Sequence, residues 1–207
     1  MYKAAKHLKK VDPILRKIIS KIKLEERKPH KRYFESLVVA IINQQLSTKA
    51  ADTIEKRFRL IFASKKFPKP EQVLKKSDKT LRKAGLSFQK ISYIKSLAKL
   101  VAQDNISFKK LHKMADEEII STLIQVKGIG RWTAEMFLMF CLNRPDVFSH
   151  RDLGLKNAIK RLYKLEQHRH PNKYHRLVES WSPHRTTAAR YLWASLDPSR
   201  FRRAEAD

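Results

Sequence analysis

An all-α fold is predicted by three observations. Apolar residues recur at helical spacing along nearly all of the 207 residues. The one extended-looking stretch, Asp146-Val147-Phe148, is too short to build a sheet. Ser, Asp and Pro stand repeatedly where helices start. About eight to ten helices are expected, in a compact, two-lobed helical unit divided near residues 105–115.

The elements follow in order. Residues 1–25 are basic and read as a peripheral helix. Phe34, Leu37, Val38 and Ile41 fall at i, i+3, i+4 and i+7, and Ile54, Phe58 and Ile61 continue the pattern after the polar break Asn43–Ser47. Pro70 opens a short helix, and Gly85 closes the one before Leu86. Ser87 caps a helix carrying Ile91, Ile94, Leu97 and Val101. Asp116 caps another with Ile119, Ile120 and Leu123. Residues 131–142 are apolar nearly all round and predict a central buried helix. Leu155, Ile159 and Leu162 mark a helix after Asp152, and 166–173 reads as a loop. Ser182-Pro183 reads as an N-cap and a first-position Pro, opening a last helix through Trp193 toward Pro198. Phe34 and Trp181 are assigned to the core.

Charge narrows the function. Lys and Arg number 46 against 20 Asp and Glu, a net charge of +26, while 42% of residues are hydrophobic. A chain this apolar folds, and a folded surface this basic meets a polyanion, because neutralised phosphates release counterions. The single Cys141 excludes a disulfide framework, a Cys-based zinc site and a four-Cys iron–sulfur cluster. With four glycines there is no GxGxxG and no GxxxxGK[ST]. No apolar run is long enough for a membrane span, and the N-terminus lacks the apolar core of a signal peptide. An intracellular protein is expected, cytoplasmic in a prokaryote and nuclear in a eukaryote.

Two of the glycines lie in Leu123-Ile124-Gln125-Val126-Lys127-Gly128-Ile129-Gly130-Arg131-Trp132. A helix ends there, a Gly-x-Gly turn follows, and a new helix starts at once. Glycines let the backbone approach a ligand, and the new helix presents free N–H groups at its positive end. Such a turn fits a DNA phosphate without reading a base; it also fits a plain helix–helix connection.

Residues 126–134 (VKGIGRWTA) followed by 146–155 (DVFSHRDLGL) resemble the helix-hairpin-helix DNA glycosylases, and within them the 3-methyladenine DNA glycosylase II branch. Residues 41–51 (IINQQLSTKAA), 85–98 (GLSFQKISYIKSLA) and 181–196 (WSPHRTTAARYLWASL) match as well, so the resemblance spans about residues 30–197. It implies one glycosylase domain over 1–207, with its hairpin at about 116–142 and an active site between the lobes.

The resemblance assigns roles. Asp152 matches the family's essential Asp, whose carboxylate stabilises the oxocarbenium-like sugar and aligns a water. Read by itself, Asp152 is an ordinary N-cap, and the two roles coexist. Ser149-His150-Arg151 before it departs from the family pattern; His150 or Arg151 can pair with Asp152 or touch a phosphate. Asp146 is the rival carboxylate. Trp132, Met136 and Trp193 match base-pocket positions, where indole faces attract a cationic alkylated purine. Gln45 and Leu46 match the residues that plug and wedge the gap left by a flipped nucleotide. Lys127, Gly128, Ile129 and Gly130 are the phosphate-binding turn, and carbonyls of Ile124, Val126 and Ile129 are placed to hold a monovalent cation.

Other signals are discounted. His168, His170 and His175 lack the Cys or acidic partners of a metal site. Lys9-Lys10, Lys65-Lys66, Lys75-Lys76 and Lys109-Lys110 read as solvated faces, and Cys141 as inert core. The expected function is a monomeric, monofunctional glycosylase that hydrolyses alkylated purines from double-stranded DNA in base excision repair, with no cofactor. The alternative is a non-catalytic DNA-binding module. A lyase is disfavoured because lyase relatives carry Lys where this chain has Trp132, and Lys127 is badly placed to substitute.

Overall fold

The computed structural model describes residues 1–62 and 66–197; Lys65 and Pro198 lie outside the described residues. Twelve α-helices and one 3-10 turn, Leu111–Lys113, account for the regular structure there, with no strand. The chain divides into two compact units: unit 1 comprises Met1–Pro29 and the chain from Leu138 onward, and unit 2 comprises His30–Phe137. The division expected near 105–115 is corrected. Ile106 and Leu111 are buried inside unit 2, so that stretch is anchored rather than linking lobes.

Unit 1 contains α1 (Tyr2–Val11) and α2 (Pro13–Lys21). The single peripheral helix expected over 1–25 is therefore also corrected. Leu8, Leu15 and Ile18 are buried, and Asp12, only 3% exposed, separates the two helices. Asp12 Oδ1 accepts the N–H groups of Ile14 and Leu15 at 2.8 and 2.9 Å, capping α2 with Pro13 in its first turn. Asp12 Oδ2 accepts from Tyr163 Oη–H at 2.7 Å and Trp181 Nε1–H at 2.8 Å. Trp181 is fully buried, as expected of core.

The remainder of unit 1 is α10 (Leu153–Tyr163), α11 (Pro171–Glu179) and α12 (Arg185–Ala194). Helix α12 packs on α1, α2 and α10. It begins at Arg185, not at Pro183, because its first amide is capped from far along the chain: Arg185 N–H donates to Asp146 Oδ1 at 3.1 Å. Ser182 instead donates its hydroxyl to Asp146 Oδ2 at 2.9 Å. Thr186 holds the extended stretch at 144–148, donating to the Arg144 carbonyl at 2.7 Å and accepting from Val147 N–H at 3.0 Å.

Unit 2 holds α3 (Tyr33–Asn43), α4 (Thr48–Leu60), α5 (Pro70–Leu74), α6 (Asp78–Arg82), α7 (Phe88–Ala102), α8 (Asp116–Leu123) and most of α9 (Arg131–Phe140). Helix α7 is its axis. Ile91, Ile94, Leu97 and Ala98 form its buried stripe, and it packs against α3, α5 and α6. The hydroxyls of Ser47, Ser77 and Ser87 cap α4, α6 and α7. Asp116 lies one residue inside α8; Ala115 is the N-cap, and its N–H donates to Glu118 Oε2 at 2.7 Å. Phe34, expected in the core, is half-buried with its ring edge on Phe67.

Candidate active site

In unit 1, Asp152 is the N-cap of α10 and only 8% exposed. Two donors converge on its Oδ1: the Leu155 amide at 2.7 Å and the Trp193 indole Nε1–H at 2.8 Å. The cap thus also ties the carboxylate to α12. Gly154 makes room for the arrangement. A Cβ there would stand 3.1 Å from Asp152 Oδ1 and 3.1 Å from Trp193 Cδ1 and Nε1. Gly154 carried no role in the sequence reading; its signal was a glycine in the first turn of a helix, where only a close neighbour demands one.

The surroundings are aromatic. Tyr174 is buried; burial and then the Asp152 charge push its phenol up to about 12. His150 lies among Phe148, Tyr174 and His175, with ring centroids 5.1, 6.0 and 5.2 Å away. Arg151 is exposed. Trp193 also lines a cleft of about 1070 Å³ together with Phe140, Arg190 and Tyr191. Phe140 lies 5.7 Å from the Trp193 ring at an interplanar angle of 38°. Its aromatic character went unused in the sequence because the helix around it reads as uniformly apolar.

The rival carboxylate is engaged. Asp146 accepts from Arg185 Nε at 2.9 Å and Nη2 at 3.0 Å, besides the Arg185 amide and the Ser182 hydroxyl. Burial alone would raise the Asp146 carboxyl; the bonds from Arg185 and Ser182 outweigh it and hold it below the usual range.

In unit 2, α8, a turn and α9 form the hairpin. Gly128 has φ +82°, and a Cβ there would fall inside the Tyr93 ring of α7, so both backbone and space demand glycine. Gly130 has neither constraint. Lys127 is exposed, and the Ile129 side chain is buried. The Val126 carbonyl accepts from Ile129 N–H at 3.0 Å, closing the turn. Among the described residues no cluster of three His, Cys, Asp or Glu is arranged to hold a metal ion.

Helix α9 ends at Phe140 and is largely buried, as expected, at Ala134, Phe137, Leu138 and Met139, while Arg131 and Trp132 in its first turn are exposed. Trp132 is 47% exposed, and Met136 is half-buried. Arg131 pairs with Glu117 and Glu135, so the hairpin's own arginine is neutralised by its neighbours.

The turn from α3 to α4 is the second exposed feature of unit 2. Gln45 has φ +56°, and Leu46 is 38% exposed. Gln44, unassigned in the sequence, donates its Nε2–H to the Gly128 carbonyl at 2.8 Å. Lys90 of α7 donates Nζ–H to the Ile42 and Gln44 carbonyls, both at 2.7 Å. The wedge candidates and the hairpin therefore lie side by side.

Comparisons with known proteins agree on one family. Residues 38–184 match the model for HhH-GPD superfamily base excision DNA repair protein. The chain is 39% identical over 173 residues to DNA-3-methyladenine glycosylase 1 of Schizosaccharomyces pombe, covering 82% of this chain and 73% of that one. It is 34% identical to a putative DNA-3-methyladenine glycosylase of Bacillus subtilis, and there spans 59% of the relative's length. The solved S. pombe 3-methyladenine DNA glycosylase in complex with abasic DNA superposes with a TM-score of 0.80 at 34% identity, covering 92% of this chain and 95% of that one.

Proposed function

The chain belongs to the HhH-GPD superfamily of base excision DNA repair proteins, and we propose that it is a DNA glycosylase that removes alkylated purines of the 3-methyladenine type. The observation that carries the proposal is Asp152, a buried carboxylate held by the Leu155 amide and the Trp193 indole in the family-like segment. A non-catalytic DNA-binding module would leave that construction idle.

In this mechanism the C1′–N bond of an extrahelical nucleotide breaks, and its electron pair leaves with the base. The sugar becomes oxocarbenium-like, and the Asp152 carboxylate stabilises that charge. Water then adds to C1′, loses a proton, and leaves an abasic sugar in an intact strand. Trp193 of unit 1 and Trp132 and Met136 of unit 2 are assigned to contact with the base. Gln45 and Leu46 are assigned to the gap in the duplex. Lys127, Gly128, Ile129 and Gly130 are assigned to phosphate, where a cation on the hairpin carbonyls would add positive charge. Strand cleavage is not part of the mechanism, because the first turn of α9 offers an indole, at Trp132, and no amine nucleophile.

The protein is read as a single glycosylase domain, monomeric, acting in a DNA-containing compartment. No helix among the described residues is long and apolar enough to cross a membrane. The deciding experiment incubates the protein with methylated DNA and identifies the free bases by chromatography. Release of 3-methyladenine is expected; absence of any free base, with DNA binding intact, overturns the proposal.

A further inference from the structure

Two residues outside the assigned site connect its DNA-facing parts in unit 2. Helix α3 ends at Asn43, leaving carbonyls without intrahelical partners at its negative end. Lys90 caps two groups there, donating from one ammonium to the Ile42 and Gln44 carbonyls at 2.7 Å each. The very next residues are Gln45, in the left-handed region, and exposed Leu46. Gln44 turns its side chain the other way and donates to the Gly128 carbonyl of the hairpin at 2.8 Å. Three residues after Lys90 on α7, Tyr93 packs under Gly128, and Gln89 donates to the Tyr93 hydroxyl at 2.7 Å. One helix therefore carries supports for both turns, and Gln44 bridges them directly.

We propose that Lys90 and Gln44 are positioning residues for base flipping, locking the Gln45–Leu46 turn in register with the phosphate-binding hairpin. The inference rests on the proposed glycosylase function and extends it. A wedge works only if the strand is held while the side chain enters the stack, since unstacking costs a few kcal/mol that must not be dissipated by a yielding turn. The ammonium suits the task because its two bonds are charge-assisted and part-buried, and burial lowers its pKa. Neither residue reaches the reacting sugar in this role, so both act on flipping and leave the chemical step alone.

The test is single-turnover base release by Lys90→Met and Gln44→Leu, with Lys90→Arg as the conservative control. Each substrate carries the same alkylated purine, either in a normal pair or opposite an abasic residue, where unpairing is cheaper. Both variants are expected to lose about tenfold on the paired lesion, the scale of one charge-assisted or buried hydrogen bond, and no more than about twofold on the unpaired one. Lys90→Arg is expected to recover part of the loss. Equal losses on both substrates, or no loss, overturn the inference. A wild-type protein that releases no base from either overturns the glycosylase function instead. Wedge entry is then read independently by 2-aminopurine placed beside a tetrahydrofuran abasic site. Wild type is expected to change its fluorescence and the variants to change it less; identical responses overturn the inference.

Discussion

The Trp193 indole donates to Asp152 Oδ1 at 2.8 Å, on the same oxygen that caps α10 through Leu155. A residue assigned to base contact is therefore also the anchor of the carboxylate. Asp152→Asn is expected to reduce base release at least about 10²-fold, the scale on which a preorganised charge acts in a transition state. DNA binding is expected to persist or tighten, because one anion is removed. Trp193→Phe keeps a ring and removes the donor, and about tenfold loss in kcat is expected from one charge-assisted bond. Near-normal turnover of Asp152→Asn in single-turnover assays would move the catalytic role elsewhere.

The two hairpin glycines are expected to behave differently. Gly128→Ala forces a left-handed backbone on alanine and drives a methyl into Tyr93. It is expected to weaken binding to all DNA sequences alike and to destabilise the fold by about 1–3 kcal/mol. Gly130→Ala meets open space and is expected to leave the melting temperature nearly unchanged. Binding isotherms and melts of both variants, run in parallel, check the contrast.

Asp12 connects α2 to Tyr163 and Trp181 through four hydrogen bonds while almost fully buried. Asp12→Ala strips the cap from α2 and leaves a half-buried phenol and a buried indole without this acceptor. A loss of about 3 kcal/mol in denaturant unfolding is expected, with a smaller loss for Asp12→Asn, which retains an acceptor. Equal stability of Asp12→Ala and wild type would show that the network contributes nothing net.

How much of this was legible follows from range along the chain. Helices α3 and α7 were readable because Leu37, Val38 and Ile41, and likewise Ile91, Ile94 and Leu97, encode their buried faces within a few residues. The Ser87 cap is equally local. The start of α12 was not, because its amide is capped by Asp146, some forty residues earlier. Asp12-Pro13 carried a helix-start signal that the surrounding lysines obscured, and its partners Tyr163 and Trp181 lie far down the chain. Asp152 was legible through the resemblance. Its bond to Trp193, the space left by Gly154 and the bridge from Gln44 to Gly128 join residues with no common pattern.

His184 gives the fold an acid sensitivity. Burial, the His7 ring at 5.3 Å and the N-terminal ammonium lower its pKa, against an opposing pull from Asp146. The unfolded chain therefore takes up the proton first as pH falls. Stability is expected to be full above about pH 6.5, the ordinary histidine value, and to decline through the window between that value and the lowered folded pKa. His184→Gln is expected to flatten that part of the stability–pH curve, measured by urea unfolding from pH 8 to 5.

The expected range of lesions follows from the chemistry of the groups assigned to the base. Asp146, the nearest rival to Asp152 in sequence, is held ionised by Arg185 and cannot serve as a proton donor near neutrality. Tyr174, pushed up to about 12, keeps its proton too tightly to give it to a departing base. Trp132, Met136 and Trp193 offer ring faces and a thioether, which stack but do not protonate. Protonating a neutral leaving base is the task that general acids speed by about 10²–10⁴-fold. A purine made cationic by ring methylation has no need of it, because departure neutralises the base. 3-Methyladenine and 7-methylguanine are therefore expected to leave well, and 8-oxoguanine and uracil hardly at all. Ethenoadenine, neutral but flat, is expected to fall between. The product is expected to be an intact abasic strand that breaks only after alkali. Single-turnover rates on oligonucleotides carrying each lesion, with gels run before and after alkali, decide the matter. Rapid release of 8-oxoguanine would require a proton donor other than Asp146, Tyr174 and the groups assigned to the base, and nicking without alkali would require an amine nucleophile in place of Trp132.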